Sequence, residues 1–205
     1  MLFKLVFGLL LAGLSPIAVL ADAVDEARKP VDQLNGTLIE VMKSGKQLGY
    51  QGRYKRLDPV VKAAFEFEAV SRIALGSQWK KLDRPQKTAF MEKLTDLSIA
   101  TYAAQFKEYG GEEFKFDSSQ DLKSGRLLLR YDFTAPAEKP VKFDYDVKDF
   151  NGHWQIINII VDGISDLALK RAQYTNVIDH EGFDILLNKL TQKISDYAND
   201  SGNSI

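Results

Sequence analysis

Few side chains in this sequence could carry out catalysis or bind a metal. The chain contains no cysteine, which excludes thiol nucleophiles, thiolate metal sites and disulfides. Its two histidines, His153 and His180, have no evident partner in the sequence and cannot form an imidazole-rich metal site. Asp144 and Asp146 alternate with apolar residues and are expected to face solvent. We therefore predict no catalytic residue, no metal site and no cofactor.

The charge balance argues against a second group of functions. Lysine and arginine total 27, and aspartate and glutamate total 28, so charge alone cannot hold nucleic acid or an anionic membrane. The 205 residues are 45% hydrophobic and 27% charged, which is typical of a globular protein with room for one domain. We predict no nucleic-acid partner.

The first residues have the pattern of an export signal. Lys4 precedes an uninterrupted apolar run over residues 5–14, and Pro16 and the small residue Ala21 follow. The alternative is an uncleaved membrane anchor, but the run is shorter than the roughly 20 residues that cross a bilayer. We predict a signal peptide at residues 1–21, one domain at 22–198, a polar tail at 199–205, and a periplasmic mature protein.

The first half of the chain is predicted to consist of helices, which must help to position any site. Apolar residues at helical spacing predict a first helix that passes Pro30 near its start and runs to about Lys46. Residues 49–56 are predicted to be a connector, and Asp58-Pro59 to open a second helix. A third helix, 68–75, ends at Gly76, and a capping box of Asp83 with Gln86 begins a long helix to Phe106.

Alternating apolar residues then predict strands. The alternation occupies residues 114–116, 127–133 and 141–147, and the turn Asn151-Gly152 leads into the continuous apolar run 154–161. Such a run predicts a central strand. Two further helices follow. The expected fold is α+β, with an antiparallel sheet of about four strands covered by helices. The inward aromatic residues fit either a closed core or a cavity.

Several segments, in this order, resemble the MlaC-like or toluene-tolerance family of periplasmic lipid carriers. The resemblance spans Arg53 to Leu190. Its anchors are Arg53-Tyr54-Lys55-Arg56-Leu57, Ala74-Leu75-Gly76-Ser77-Gln78-Trp79, residues 82–86 with Phe90, residues 100–103, residues 154–165, Arg171-Ala172-Gln173-Tyr174 and Glu181-Gly182-Phe183-Asp184. Two segments, residues 98–106 and 164–171, are more similar to the HpnM branch, which is associated with hopanoid synthesis.

The resemblance implies a fold and a function. It implies a strongly bent, cone-shaped sheet wrapped by helices, with acyl chains in an apolar cavity and the headgroup outside. Each methylene exposed to water costs about 0.8 kcal/mol, so a lipid crosses an aqueous compartment only when its hydrocarbon is covered. The implied cargo is a phospholipid or a hopanoid. The implied partners are an inner-membrane ABC-type lipid transport system and an outer-membrane complex, and a monomer is favoured.

Candidate lipid-binding residues follow from the pattern and the resemblance together. The inward side chains of the strands and the long helix are Phe90, Leu94, Leu97, Leu127, Leu129, Tyr131, Phe143, Tyr145, Val147, Trp154 and Ile156. Arg171 matches the arginine of the family's Asn-Tyr-Arg segment, but Leu169 and Lys170 replace the first two residues. Arg171 is therefore either a headgroup contact at the cavity mouth or a structural residue.

Two other functional classes remain open at this point. Cone-shaped α+β folds also include small-pocket enzymes that use a carboxylate with a tyrosine or histidine. A chaperone-like periplasmic protein could use the same apolar face to hold polypeptides. We predict a carrier rather than an enzyme, because the sequence offers no paired acid and base.

Overall fold

The computed structural model describes residues 16–200, which form six α-helices and a five-stranded sheet. The helices are α1 (Pro16–Lys43), α2 (Gly45–Ala64), α3 (Phe67–Leu75), α4 (Arg84–Gln105), α5 (Asp166–Glu181) and α6 (Phe183–Asp200), with a 3₁₀ helix at Gly76–Lys81. The strands are β1 (Glu113–Lys123), β2 (Arg126–Thr134), β3 (Val141–Asp149), β4 (Trp154–Val161) and β5 (Ile164–Ser165). Most of the predicted signal peptide, residues 1–15, and residues 201–205 of the predicted tail lie outside the described residues.

The sheet is antiparallel and its strands follow chain order from β1 to β5. The α+β class is confirmed, with one strand more than expected, because two residues after the Asp162-Gly163 turn pair back onto β4. The expected central position of β4 is wrong. Only short β5 and a bridge from Phe65 to Ile156 meet its far edge, so β4 lies next to the edge of the sheet.

A β-bulge explains why β4 is apolar at almost every position. Tyr145 of β3 pairs with Ile159, whereas Val147 pairs with Ile156, so β4 contains one extra residue at Ile157. Paired residues of antiparallel strands share a face, and the bulge therefore moves the helix-facing positions of β4 from even to odd numbers. Even-numbered positions before the bulge and odd-numbered positions after it therefore face the helices and must be apolar. Together they give the nearly continuous apolar run of β4.

Helices α1 and α2 are longer than the sequence indicated, although α1 ends at Lys43 rather than near Lys46. Helix α1 begins at Pro16 and contains Pro30, which was expected near its start. Residues 49–56 and Pro59 belong to α2, which bends at Gly49 with φ of 59°. The predicted connector is therefore wrong: Leu57 and Val61 are fully buried on the same side of α2, and this packing outweighs the helix-breaking tendency of proline. Within residues 16–200, no helix is both long enough and apolar enough to span a bilayer.

The predicted helix boundaries at Gly76 and Asp83 are confirmed. Gly76 ends α3 with φ of 53°, a value that favours glycine. The Asp83 carboxylate accepts a hydrogen bond from the Gln86 backbone at 2.8 Å, and the Asp83 N–H donates to the Gln86 side chain at 3.0 Å. These local signals are independent of the rest of the fold.

Helix α1 closes one half of the sheet. The Tyr131 hydroxyl donates to Asp32 at 2.6 Å, and the Tyr145 hydroxyl donates to Asn35 at 2.6 Å. Both tyrosine side chains are almost fully buried, and their rings pack edge to face. These two hydrogen bonds fix the distance between α1 and the sheet, and the space between them is filled with side chains.

Buried Arg53 holds the end of α4 against the start of α2. Its guanidinium donates to the carbonyl oxygens of Ala103 at 2.7 Å and Gly45 at 2.8 Å. Only 3% of Arg53 is exposed, and desolvation lowers its pKa. At Gly45 a Cβ atom would lie 1.8 Å from the Lys107 carbonyl oxygen, so the helices can approach this closely only with glycine there.

We expect Arg53→Met to lower the free energy of unfolding by about 3 kcal/mol, because two buried carbonyl groups lose a charged donor. Arg56→Met is the matched control on the same helix, since the Arg56 side chain is 64% exposed and pairs only with Glu40. Urea denaturation of the two variants measures the difference. Equal stabilities would contradict a structural role for Arg53.

Candidate functional site

An apolar cavity of about 310 Å³ lies beside β4. Four parts of the chain enclose it: the start of α3, the second half of α4, strands β3 and β4, and the start of α5. Its lining residues are Phe65, Phe67, Val70, Leu94, Ser98, Thr101, Tyr102, Gln105, Phe106, Phe143, Ile157, Asn158, Ile159, Val161, Asp166, Leu167 and Lys170.

Helix α4 presents one face to the cavity. Leu94, Ser98, Thr101, Tyr102 and Gln105 recur at the three- and four-residue spacing of a single helix face. The Ser98 and Thr101 hydroxyls donate to carbonyl oxygens one turn earlier, at 2.8 and 2.7 Å. Because their own helix satisfies them, these hydroxyls do not require a polar ligand.

The β-bulge determines which part of β4 lines the cavity. Ile157, Ile159 and Val161 lie at or beyond the extra residue and line the wall, with Phe143 paired to Val161 on the neighbouring strand. Ile156 lies before the bulge and is fully buried. The same strand thus packs into the closed core at one end and borders the cavity at the other.

Aromatic rings form a continuous part of the wall. Phe65 packs against Phe67 with ring centroids 5.6 Å apart and against Tyr102 at 6.4 Å. Tyr102 in turn packs against Phe106 at 6.0 Å. Such a wall offers a large, rigid apolar surface to a hydrocarbon ligand.

A single ion pair lies among the residues that line the cavity. Lys170 and Asp166 are one turn apart on α5 and form a salt bridge, with 22% and 63% of their side chains exposed. Tyr102 lines the same cavity, and burial together with the Asp166 charge raises the pKa of Tyr102. The Ser165 hydroxyl caps α5 by accepting a hydrogen bond from the Ala168 N–H at 3.1 Å. This cap fixes the start of the helix and therefore the position of Asp166 in its first turn.

Two of the predicted site residues, Leu94 and Phe143, line this cavity. The others do not. Eight predicted site residues are buried in the closed core instead, namely Phe90, Leu97, Leu127, Leu129, Tyr131, Tyr145, Val147 and Ile156. Trp154 borders a different surface cleft with His153 and Gln155. The alternation of apolar residues along the strands indicated correctly which side of the sheet faces the helices. Helices α1 and α2 cover most of that side, however, and leave the sheet uncovered only beyond the bulge in β4.

Arg171 does not line the cavity. Its side chain is exposed and lies over Gly76, where a Cβ atom would come within 2.7 Å of the guanidinium Nε. Lys170 lines the cavity instead, because a step of one residue turns about 100° around a helix and moves a side chain to another face. Of the two roles considered for Arg171, a structural residue and a headgroup contact, the position fits the structural one.

The aromatic wall and Lys170 were not predicted from the sequence. Phe65, Phe67 and Phe106 fit a packed core equally well, since sequence does not distinguish a core from a cavity. The spacing of Ser98, Thr101 and Tyr102 was a usable signal, because small polar residues on an otherwise buried helix face leave space beside them.

The titratable residues considered from the sequence, Asp144, Asp146, His153 and His180, do not line the cavity. Asp146, expected to face solvent, is only 6% exposed, and its carboxylate accepts a hydrogen bond from Arg126 Nε at 3.0 Å. Both histidines are exposed, and His180 Nδ1 lies 2.9 Å from the Asn176 carbonyl oxygen. The described residues include no cluster of three or more histidine, aspartate or glutamate side chains suited to a metal.

Comparison with known proteins gives the family. The family model described as "MlaC protein" matches residues 32–192, which is most of the chain and includes every residue that lines the cavity. The chain belongs to the MlaC family. The resemblance in sequence predicted this membership, and the family match confirms it. The more specific resemblance to the HpnM branch stays a prediction.

Two curated relatives and one solved structure are similar to this MlaC-family chain. Toluene tolerance protein ttg2D of Pseudomonas putida is 24% identical over 78% of this chain and 77% of its own length. The intermembrane phospholipid transport system binding protein MlaC of Haemophilus influenzae is 22% identical over 59% of this chain and 58% of its own length. A phospholipid-binding protein from Ralstonia solanacearum, solved with a phospholipid, aligns at a TM-score of 0.68 and 20% identity, covering 88% and 97% of the two chains. The structural likeness confirms the fold.

We expect Ser98→Leu to raise the free energy of unfolding of the ligand-free protein by about 1 kcal/mol, because the added carbons occupy empty volume. Ala100→Leu is the matched control on the same helix. Ala100 is fully buried in packed surroundings, so the larger side chain should destabilise by about 2 kcal/mol. Thermal melts of both delipidated variants measure the contrast, and destabilisation by Ser98→Leu would mean that the cavity is not open space.

Proposed function

We propose that this protein is a carrier that binds a phospholipid in the cavity beside β4 and moves it through an aqueous compartment. The observation that carries the proposal is an apolar, aromatic-walled cavity with one ion pair at its edge. This fold is shared with a protein solved in complex with a phospholipid. Burial of each methylene from water is worth about 0.8 kcal/mol, so such a cavity favours acyl chains over soluble metabolites.

Lys170 is proposed to contact the lipid headgroup. Its ammonium group lies at the cavity edge and is already oriented by Asp166 one turn earlier. A phosphate could share the ammonium with Asp166, while the acyl chain extends inward past Tyr102 toward Phe65. This role takes the place of the headgroup contact first considered for Arg171.

A hopanoid is the second candidate cargo. The two segments that resemble the HpnM branch, residues 98–106 and 164–171, contribute eight of the residues that line the cavity, namely Ser98, Thr101, Tyr102, Gln105, Phe106, Asp166, Leu167 and Lys170. Differences that affect cargo choice would act through these segments. The proposed role is non-enzymatic, because Asp166 is paired with Lys170 and mostly solvated, which is a poor setting for a general base.

The proposed partners are membrane-bound lipid transport machinery, namely an ABC-type system in the inner membrane and an outer-membrane complex. Transfer of acyl chains between two apolar environments is close to neutral in free energy. The direction of transport therefore depends on differences in affinity between states of the partner.

The direct test is to purify the exported protein, extract it with organic solvent and identify lipids by mass spectrometry. We expect one lipid class at close to one molecule per chain. Ser98→Trp should remove most of it, because the indole occupies the acyl-chain volume, whereas Thr88→Trp on the exposed face of α4 should retain it. Recovery of no lipid from the unaltered protein, or unchanged lipid in Ser98→Trp, would contradict the proposal.

Export is proposed to follow cleavage after Ala21 or Ala23. Since α1 begins at Pro16, either cut removes the first residues of this helix and leaves its buried residues from Ala27 onward intact. N-terminal sequencing of protein from the periplasm should give Asp22 or Val24. Recovery of Met1 there would contradict the signal-peptide prediction.

A further inference from the structure

A second groove, of about 270 Å³, lies between α5 and α6 and shares Asp166 and Lys170 with the cavity beside β4. We call it the α5–α6 groove. Its floor consists of Tyr174, Leu186 and Leu190, each at most 6% exposed. The two spaces thus share one ion pair and are otherwise lined by different residues.

The rim of the α5–α6 groove combines cations with exposed apolar surface. Lys170, Lys189 and Lys193 all border it, and Leu169 on the rim is 54% exposed. Lys189 pairs with Glu181 at 2.5 Å, and Lys193 lies over the Tyr197 ring at 5.9 Å. An apolar floor below several lysines suits a ligand that is both hydrocarbon and anionic.

The volume of the cavity beside β4 gives an independent reason to look for a second space. An engineered cavity of about 150 Å³ holds one benzene ring, so about 310 Å³ corresponds to roughly a dozen carbon atoms. That is enough for much of one acyl chain but not for two. A diacyl phospholipid held in this conformation needs another apolar space that starts at the same mouth.

We propose that a diacyl phospholipid straddles Lys170, with one acyl chain in the cavity beside β4 and the other in the α5–α6 groove. This inference rests on the proposed function. The phosphate lies at the shared ion pair, near the lysines of the rim, and the second chain covers the exposed Leu169. A hopanoid cannot divide its rigid fused rings between two spaces, so this arrangement selects lipids with two flexible chains.

The absence of cysteine allows each space to be labelled separately. Gln105 borders the cavity beside β4 and Gln173 the α5–α6 groove, and both are exposed, so a fluorophore on Gln105→Cys or Gln173→Cys should not disturb packing. The probes are phosphatidylcholine with a nitroxide quencher on both chains and lysophosphatidylcholine with one quencher. Thr88→Cys, away from both spaces, reports background quenching.

We expect the two-chain lipid to quench both labels and the one-chain lipid to quench mainly the Gln105 label, because the cavity beside β4 is the more apolar space. Quenching of the Gln105 label alone by both lipids would overturn the inference and leave the proposed function standing. Equal quenching of the Gln173 label by both lipids would also overturn it. No quenching of either label by either lipid would contradict the proposed function itself.

A variant gives a second readout. Val177→Trp should lower the affinity for diacyl lipid relative to lysolipid by about tenfold, since each methylene displaced from the groove is worth about fourfold. Lys62→Gln is the control for general surface effects, because its side chain is 52% exposed and lies outside both spaces. Titration of both lipids by intrinsic fluorescence measures the ratio, and an unchanged ratio in Val177→Trp would overturn the inference.

Discussion

An open apolar cavity is costly to a folded chain, and the rest of this structure is arranged to hold it open. Core-truncation series lose roughly 24 cal/mol per Å³ of closed cavity, so about 7 kcal/mol is the upper limit for a space of about 310 Å³ that opens to solvent, and this limit is comparable to the whole stability of a domain. The neighbouring core must therefore be rigid. Arg53 secures the end of α4, and the hydrogen bonds of Tyr131 and Tyr145 secure α1 on the sheet.

The sheet thus has a closed half and an open half, and the bulge at Ile157 lies at the boundary between them. Before it, Ile156 packs in the closed core. Beyond it, Ile159 and Val161 border the cavity. The open half is completed by α5, whose Lys170 and Asp166 form a charged edge of the cavity. One strand therefore contributes both to the packed core and to the cavity wall.

Local chemistry was predictable from the sequence, and features that depend on tertiary packing were not. Gly76 and the Asp83 capping box act within a few residues, so their sequence signals were sufficient. The bulge was not predictable, because a continuous apolar run fits both a central strand and a strand that changes face. Arg171 and Lys170 differ by one helical step, which a resemblance in sequence does not resolve. Burial of Leu129 beneath a helix rather than a ligand is likewise decided by distant residues.

The central claim is that a lipid fills space that the folded protein otherwise leaves empty. Calorimetry of the mature protein, first stripped of lipid and then reloaded with phospholipid, tests this claim most directly. A ligand that binds only the folded state raises stability with the logarithm of its concentration, so the stripped protein should melt several degrees lower and recover on reloading. Identical midpoints for the stripped protein and the protein in saturating lipid would contradict the account.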